Sequence, residues 1–394
     1  MTTTARQSAK GTSKFRAPLL LLIVVALVIS VLVAVKIIHD INDDSSIHIG
    51  ALLSLTGDAA NYGKRSLNGL DWAVYQINER GGIKGRTIQL DIEDAASSPA
   101  LATSAVIKLI KVHNSRIVIG DIISGTTIAA EPITSRNGVL LFAPGASHPS
   151  LTDAGPLFFR NWTSDTYDGF AMARHLISSK VMKIGLIVQN TDYTVGLADA
   201  LQKEFKKGGG SVVLAQNFQT DATDLRTLLL KFKELSVDAV YISAYSGQTG
   251  RILLQAGDVD YHPDWYATLT VDTPECRDIA GKHVAGVVFT TPAFDVGVDS
   301  PQMHAFVSGF KERYGEDPEA VAGHAYDAAF ILADAIRSVG TDPQDVAQYL
   351  HNLRKYPGVT GLTTFNSNNG DVTKDIFVKR MKKEGSDLIS VFIP

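Results

Sequence analysis

The sequence predicts an α/β protein of two similar lobes, each built on a largely parallel sheet. Three observations predict it. Short apolar runs alternate with segments of helical periodicity from Ile47 to Val339, the pattern of parallel strands covered by helices. That alternation breaks between Asn161 and Asp168 and then restarts. The 394 residues, 45% hydrophobic and 20% charged, suffice for two packed domains and do not describe a disordered chain.

The first run is a strand from Ile47 to Leu55, a turn-rich loop from Thr56 to Gly63, and a helix to Arg80. Leu67, Leu70, Val74 and Ile77 mark that helix's buried stripe, with Trp72 off it. Gly81-Gly82 stops the helix, Thr87 to Glu93 is a strand, and Pro99 suits the first turn of a helix through Lys111. Two strand-and-turn units follow. Ile117 to Gly120 runs into Ser124-Gly125-Thr126-Thr127, and Val139 to Phe142 runs into Pro144-Gly145-Ala146-Ser147. The first turn opens a helix expected from Ile128 to Ser135.

After the break, strands are expected at 183–189, 211–218, 239–244, 265–269 and 287–290. Helices are expected at 195–207, 224–235 and 250–256, then at 301–314, 320–339 and 345–353. The chain ends differently, with a hairpin at 362–372 and a second one turning at Gly385.

Formal charge is −4, yet the first 16 residues hold Arg6, Lys10, Lys14 and Arg16 and no acid. Without those four, 33 basic residues face 41 acidic ones, which argues against nucleic-acid binding. Pro18 to Val35 is apolar apart from Ser30 and, with Ile37 and Ile38, approaches the length of a membrane span. Basic residues before it should stay in the cytoplasm and place the body outside. A cleaved signal peptide is the competitor, but Val31-Leu32-Val33-Ala34-Val35 fits its cleavage pattern poorly. The single cysteine, Cys276, excludes an internal disulfide.

The two turns at Ser124 and Gly145 offer small hydroxyls and backbone N–H groups at the carboxyl ends of strands, where open α/β sheets bind ligands and helix N-termini favour anions. The plain alternative is a pair of ordinary βα loops with N-cap residues. No phosphate loop, G-x-G-x-x-G, nucleophile elbow or histidine metal spacing occurs, so no catalytic residue, metal or cofactor is assigned. Asn161-Trp162-Thr163 matches a glycosylation sequon.

Ser54 to Leu90, SLTGDAANYGKRSLNGLDWAVYQINERGGIKGRTIQL, resembles the opening of the branched-chain amino-acid (Leu/Ile/Val) binding proteins, type I periplasmic binding proteins serving ABC importers. The Tyr62-Gly63 pair, the helix ending in Ile77-Asn78 and the Gly81-Gly82-Ile83-Lys84-Gly85 turn carry the likeness together. It extends through the Tyr193 and Tyr245 loops to the C-terminal hairpin.

The resemblance implies two Rossmann-like lobes joined by three crossovers and closing on ligand like a hinged clamp. On this chain that gives a basic cytoplasmic tail at 1–17, a transmembrane signal-anchor at 18–38 and a linker at 39–46. Lobe one is 47–164 with 293–357, and lobe two is 165–292 with 358–394. It further implies that Ser124, Gly145, Ala146 and Ser147 hold a ligand carboxylate, while Tyr62 from lobe one and Tyr193 and Tyr245 from lobe two cover the ligand's side chain.

The glutamate that pairs with a ligand ammonium in amino-acid binders falls on Leu269. Asp272, three residues on, and Asp121 are the candidate replacements. Without either, a buried ammonium would be unpaired, which costs too much, and the ligand would be a plain carboxylate or an amide. The disulfide of some members falls on Ala96 and Ile123, so that loop is expected to be held by packing alone. The expected function is a monomeric, membrane-anchored, extracytoplasmic solute-binding protein that captures a small carboxylate and delivers it to an ABC permease. The alternative is a ligand sensor working with a membrane kinase or chemoreceptor. An enzyme on the same fold is the least supported reading.

Overall fold

The computed structural model describes residues 27–31, 46–385 and 387–393. β1 (Ser46–Leu53) is buried along nearly its whole length, and a strand apolar on both faces needs neighbours on each side and helices above and below. β2 (Thr87–Asp94) and β3 (Ile117–Ile119) flank it, and β4 (Leu140–Ala143) and β5 (Phe158–Arg160) continue outward from β3. All four pairings are parallel, giving the order β2-β1-β3-β4-β5. The crossover helices are α1 (Ala60–Glu79), α2 (Pro99–Lys111) and α3 (Ser124–Arg136).

The chain then leaves this sheet and enters the second through α4 (Asp165–Ser178). Strands β6 (Lys183–Gln189), β7 (Ser211–Phe218), β8 (Ala239–Ser243), β9 (Asp264–Ala267) and β10 (Val288–Pro292) are parallel, with α5 (Asp192–Lys207), α6 (Arg226–Lys233), α7 (Ser246–Asp258) and α8 (Pro274–Ala280) between them. It returns as α9 (Pro301–Tyr314), α10 (Ala320–Val339) and α11 (Pro343–His351), which pack in the first core, and as the ribbon β11 (Tyr356–Gly358) and β12 (Gly361–Thr363). A third passage leads to β13 (Ile376–Glu384) and β14 (Asp387–Phe392), antiparallel additions that complete the order β14-β13-β10-β9-β8-β6-β7.

Several expectations change. α3 begins at Ser124, four residues early, because the Thr126 and Thr127 hydroxyls each donate to the Ile123 carbonyl at 2.9 Å and complete a first turn. α4 and α8 were not foreseen. The cues for α4 are local: the Ser164 side chain caps it, Asp165 and Asp168 occupy its first turn, and Met172 and Leu176 face the core. Residues 358–372 had been grouped with lobe two, yet Val359, Phe365 and Val372 pack in the first core, so the chain joins the second sheet only at Ile376. Asn161 is fully buried and donates to the His324 carbonyl at 2.9 Å, which leaves its sequon no room for a glycan.

The assigned tail, the anchor at 18–38 and most of the linker lie outside the described residues, save 27–31, which are helical and exposed. Among the described residues no helix is long and apolar enough to cross a membrane.

α1 and α10 approach closely at Gly69, where an added Cβ would lie 2.2 Å from the Ala322 carbonyl oxygen. Backbone cannot yield as a flexible side chain does. Gly69→Val should therefore destabilise the protein by at least about 1–3 kcal/mol, read as a lower denaturant midpoint. An unchanged midpoint would show that the two helices can separate without cost.

Candidate ligand-binding site

One narrow cavity collects residues from the carboxyl ends of strands in both sheets. Tyr62 follows β1, Ile122 and Ile123 follow β3, and Gly145 and Ser147 follow β4. From the second sheet come Tyr193 after β6, Tyr245 after β8, and Leu269 and Thr270 after β9. Trp162, in the first crossover, and Val321, at the start of α10, close it. The cavity is narrow, with a volume of ≈ 40 Å³.

Two buried charges shape the first-sheet loops. Asp121 accepts hydrogen bonds from Ser54, from the Thr126 hydroxyl at 2.8 Å and from the Ile122 N–H at 2.8 Å. Burial pushes its carboxyl up to about 6. The loop near Ala96 and Ile123 is thus held by a hydrogen-bond network as well as by packing, which corrects the expectation of packing alone. Arg160, fully buried, donates to Asp371 at 2.6 Å and to the Ala146 and His148 carbonyls at 3.2 and 3.0 Å, fixing the Gly145–Ser147 loop from behind. Gly145 must stay bare there, since a Cβ would lie 1.7 Å from Ile122 Cδ1.

The lobes meet through polar and aromatic contacts. The Tyr62 hydroxyl lies 2.5 Å from Ser246 Oγ and accepts the Ser246 N–H at 3.2 Å. Asn61 donates to Glu275 at 3.0 Å. Tyr245 sits between Tyr62 and Tyr193, with ring centroids 5.6 and 5.9 Å away. Burial raises the hydroxyl pKa of all three tyrosines above the usual phenol value, so they stay neutral. Behind Ser147 and Tyr193 lie Asp165 and Asp168, both buried on α4. Burial and then Asp168 hold the Asp165 carboxyl well above its usual range, while burial pushes Asp168 up to about 6.

Of the residues predicted for the site, Tyr62, Gly145, Ser147, Tyr193 and Tyr245 come together around the cavity. Ser124 and Ala146 are buried beside it without lining it; the Ser124 hydroxyl accepts the His148 N–H at 3.2 Å, and Ala146 joins an apolar cluster. Asp272 is not brought in. It pairs with Arg277 at 2.9 Å and lines an adjoining outer groove that shares Tyr62, Leu269 and Val321 with the cavity, while its 3₁₀ turn places Thr270 in the cavity wall instead. Asp121, the other replacement considered for the missing glutamate, spends its oxygens on Ser54 after β1 and on Ile122 and Thr126 of its own loop. Sequence reasoning missed Ile122, Ile123, Trp162, Thr270 and Val321. Ile122-Ile123, directly before the Ser124 turn, carried the one available signal, an apolar pair inside a loop.

A cleft between two doubly wound lobes, walled by aromatic rings from both, defines a two-lobed ligand-binding protein. The family model described as "Periplasmic binding protein" matches residues 46–386, and the chain belongs to that family. The Leu/Ile/Val-binding protein of Escherichia coli is 29% identical over 77% of this chain and 82% of its own length. A Leu/Ile/Val-binding protein homolog of Brucella abortus is also 29% identical, over 86% of this chain and 91% of its own. Among solved structures, the leucine-binding protein LivK of Thermotoga maritima superposes with a TM-score of 0.81 at 26% identity, covering 88% of this chain and 98% of that one. LivJ of Streptococcus pneumoniae, in complex with isoleucine, gives 0.80 at 25% identity, covering 88% and 99%.

Asp168 makes the fold sensitive to pH. Burial raises it to about 6 in the folded state, above the ordinary carboxylate value of 3.8, so the folded state holds the proton more tightly. That contribution is full below about 3.8 and is lost as pH rises through about 6. Asp168→Asn should flatten the pH dependence of unfolding free energy between those values, measured by urea titration at each pH. An identical slope in wild type and variant would remove Asp168 from the account.

Proposed function

We propose that this is an extracytoplasmic solute-binding protein that closes its two lobes on a small, largely apolar carboxylate and delivers it to an ABC permease. The observation that carries the reading is the shared wall of the cavity. Tyr62, Ile122, Ile123 and Ser147 come from the first lobe and Tyr193, Tyr245, Leu269 and Thr270 from the second, so a ligand there would join both. Tyr62 and Ser246 already meet across the cleft, a contact that closure makes and opening breaks.

Ser147 is the hydroxyl lining the first-lobe loop, and Gly145 beside it lets backbone approach a small anion closely. Apolar and aromatic rings cover the rest and exclude water, which strengthens any hydrogen bond made inside. The Leu/Ile/Val-binding relatives and the isoleucine complex of LivJ support a carboxylate ligand. The body would sit outside the cytoplasmic membrane, tethered by the apolar segment 18–38. Arg6, Lys10, Lys14 and Arg16 before that segment support this orientation.

Calorimetry of the full-length protein against apolar amino acids, aromatic acids, keto acids and their amides tests the reading. Ser147→Ala should weaken every carboxylate that binds by on the order of 1–3 kcal/mol, the value of a charge-assisted hydrogen bond. Unchanged affinity would sink the carboxylate assignment. Loss of the cognate uptake on deletion of the gene is the expected cellular result.

A further inference from the structure

A strand at the edge of a sheet presents unpaired N–H and C=O groups, and native proteins blunt such edges with charge, shortness or bulges. The outer strands of the two large sheets follow that rule, except for β14. β2 carries Asp91, Glu93 and Asp94, and β5 is only three residues long. β7 slips register against β6 between Ile184 and Gly185 and reaches Gln216-Asn217 before it ends. β14 pairs with β13 in unbroken register, and from Leu388 to Ile393 it reads Leu-Ile-Ser-Val-Phe-Ile, without a charge. A strand apolar on both faces has the composition of one with a neighbour on each side. β14 has β13 alone, so Leu388 to Val391 stay half-buried and Phe392 is 47% exposed.

The ladder shows which backbone groups point outward. Ile393 donates its N–H to the Val378 carbonyl at 2.8 Å. By the alternation of an antiparallel pair, Val391 and Ile389 also turn their N–H and C=O toward β13, and Leu388, Ser390 and Phe392 turn theirs away. The strand is self-complementary about Ser390. An antiparallel copy centred there sets Ser390 against Ser390 of the partner subunit and Leu388 against the partner's Phe392. These are the outward-turned residues, so each pair exchanges both of its N–H···O bonds. Ile389 then meets the partner's Val391 at the closer, non-hydrogen-bonded position, an apolar cross-strand pair. A slip of one residue would set outward groups against inward ones.

We propose that a second copy of this chain pairs along β14, joining the two seven-stranded sheets into one across a two-fold axis, in place of the expected monomer. The axis is perpendicular to the sheet, so α4 of each copy lies on the same face, flanking the seam. There Tyr167 and Phe170 are 43% and 47% exposed and line a groove with Phe392 and Ile393, an apolar surface that the second copy continues. The basic residues Lys379, Arg380, Lys382 and Lys383 lie on β13, not on the edge. Three strand spacings, about 14 Å, separate them from the same residues of the second copy, beyond the Debye length of about 8 Å at physiological salt. The ammonium of Lys379 already rests on the Phe392 ring, 4.5 Å from its centroid.

Light scattering on the full-length protein in detergent, with the detergent mass subtracted, tests the pairing. Wild type should have the mass of two chains. Ser390→Pro removes an outward N–H and spares the β13 ladder, and Val391→Lys sets an ammonium against the partner's Ile389; each should halve the mass. Paired Cα atoms at hydrogen-bonded positions are about 5.5 Å apart, within disulfide reach. Under mild oxidant, Ser390→Cys should therefore run as a covalent dimer on a non-reducing gel. Ser338→Cys, exposed at the end of α10, should stay a monomer there, and the native Cys276 is buried. A wild type with the mass of one chain overturns the proposal, as does an assembly larger than two. A dimer that survives both substitutions, or equal crosslinking at Ser338→Cys, places the contact elsewhere and overturns it too. If Ser390→Pro fails to fold, Val391→Lys and the crosslink decide.

Discussion

Arg160 is the interaction on which the binding end of the molecule depends. It stands at the end of β5, just before the chain first crosses between lobes, with its guanidinium wholly out of water. A buried cation without partners would cost several kcal/mol, so the surroundings are built to meet it. Asp371 supplies the charge, Thr152 a further acceptor, and Ala146 and His148 their carbonyls. Gly370 lets that turn approach, since a Cβ there would lie 1.8 Å from the Phe158 carbonyl oxygen. One side chain thus sets the height of the Ser147 loop and ties it to the segment that leads into the third crossover.

Around that anchor, the buried carboxylates divide according to what satisfies them. Asp121 shapes the Ile122-Ile123 turn from within, whereas the half-buried Asp272 pairs with Arg277 outside the cavity. Asp327 accepts from the N–H groups of Val359 and Thr360 at 2.9 Å each, and the Lys374 ammonium donates to the Thr360 hydroxyl. Burial pushes Lys374 down to about 8, so even the last crossover carries a buried charge near its neutralisation point. Closure of the cleft draws on different forces. Tyr62, Tyr193 and Tyr245 bring rings that cover apolar area while their hydroxyls stay neutral, which suits a surface that must pair and part.

The strand-and-helix alternation was legible because parallel strands buried on both faces are apolar throughout and their helices carry one apolar stripe. α4 escaped notice because its buried face is small and polar: Asp165, Asp168, Gly169, Met172, Ala173 and Leu176 show only two large apolar residues. The start of α3 was misread for a related reason, since its first turn of Ser124, Gly125, Thr126 and Thr127 has the composition of a loop and becomes helical through hydroxyl bonds to Ile123. Tyr62, Ser147, Tyr193 and Tyr245 were found through the family resemblance and their positions after strands. Trp162 and Val321 could not be, because a crossover and a helix start far along the chain become cavity wall only when the two lobes fold over each other.

By itself, the sequence determined the α/β class, the break between lobes, the absence of catalytic and metal motifs, and the two loops fit to hold an anion. These are local properties, written in the period of apolar residues and in glycine and hydroxyl turns. Only the tertiary structure decided which acids are used up and which remain free, because a carboxylate's partners come from distant strands and loops. It paired Asp272 with Arg277 outside the cavity wall, consumed Asp121 with Ser54, Ile122 and Thr126, and left Asp165 buried beside Ser147 with an oxygen unpaired.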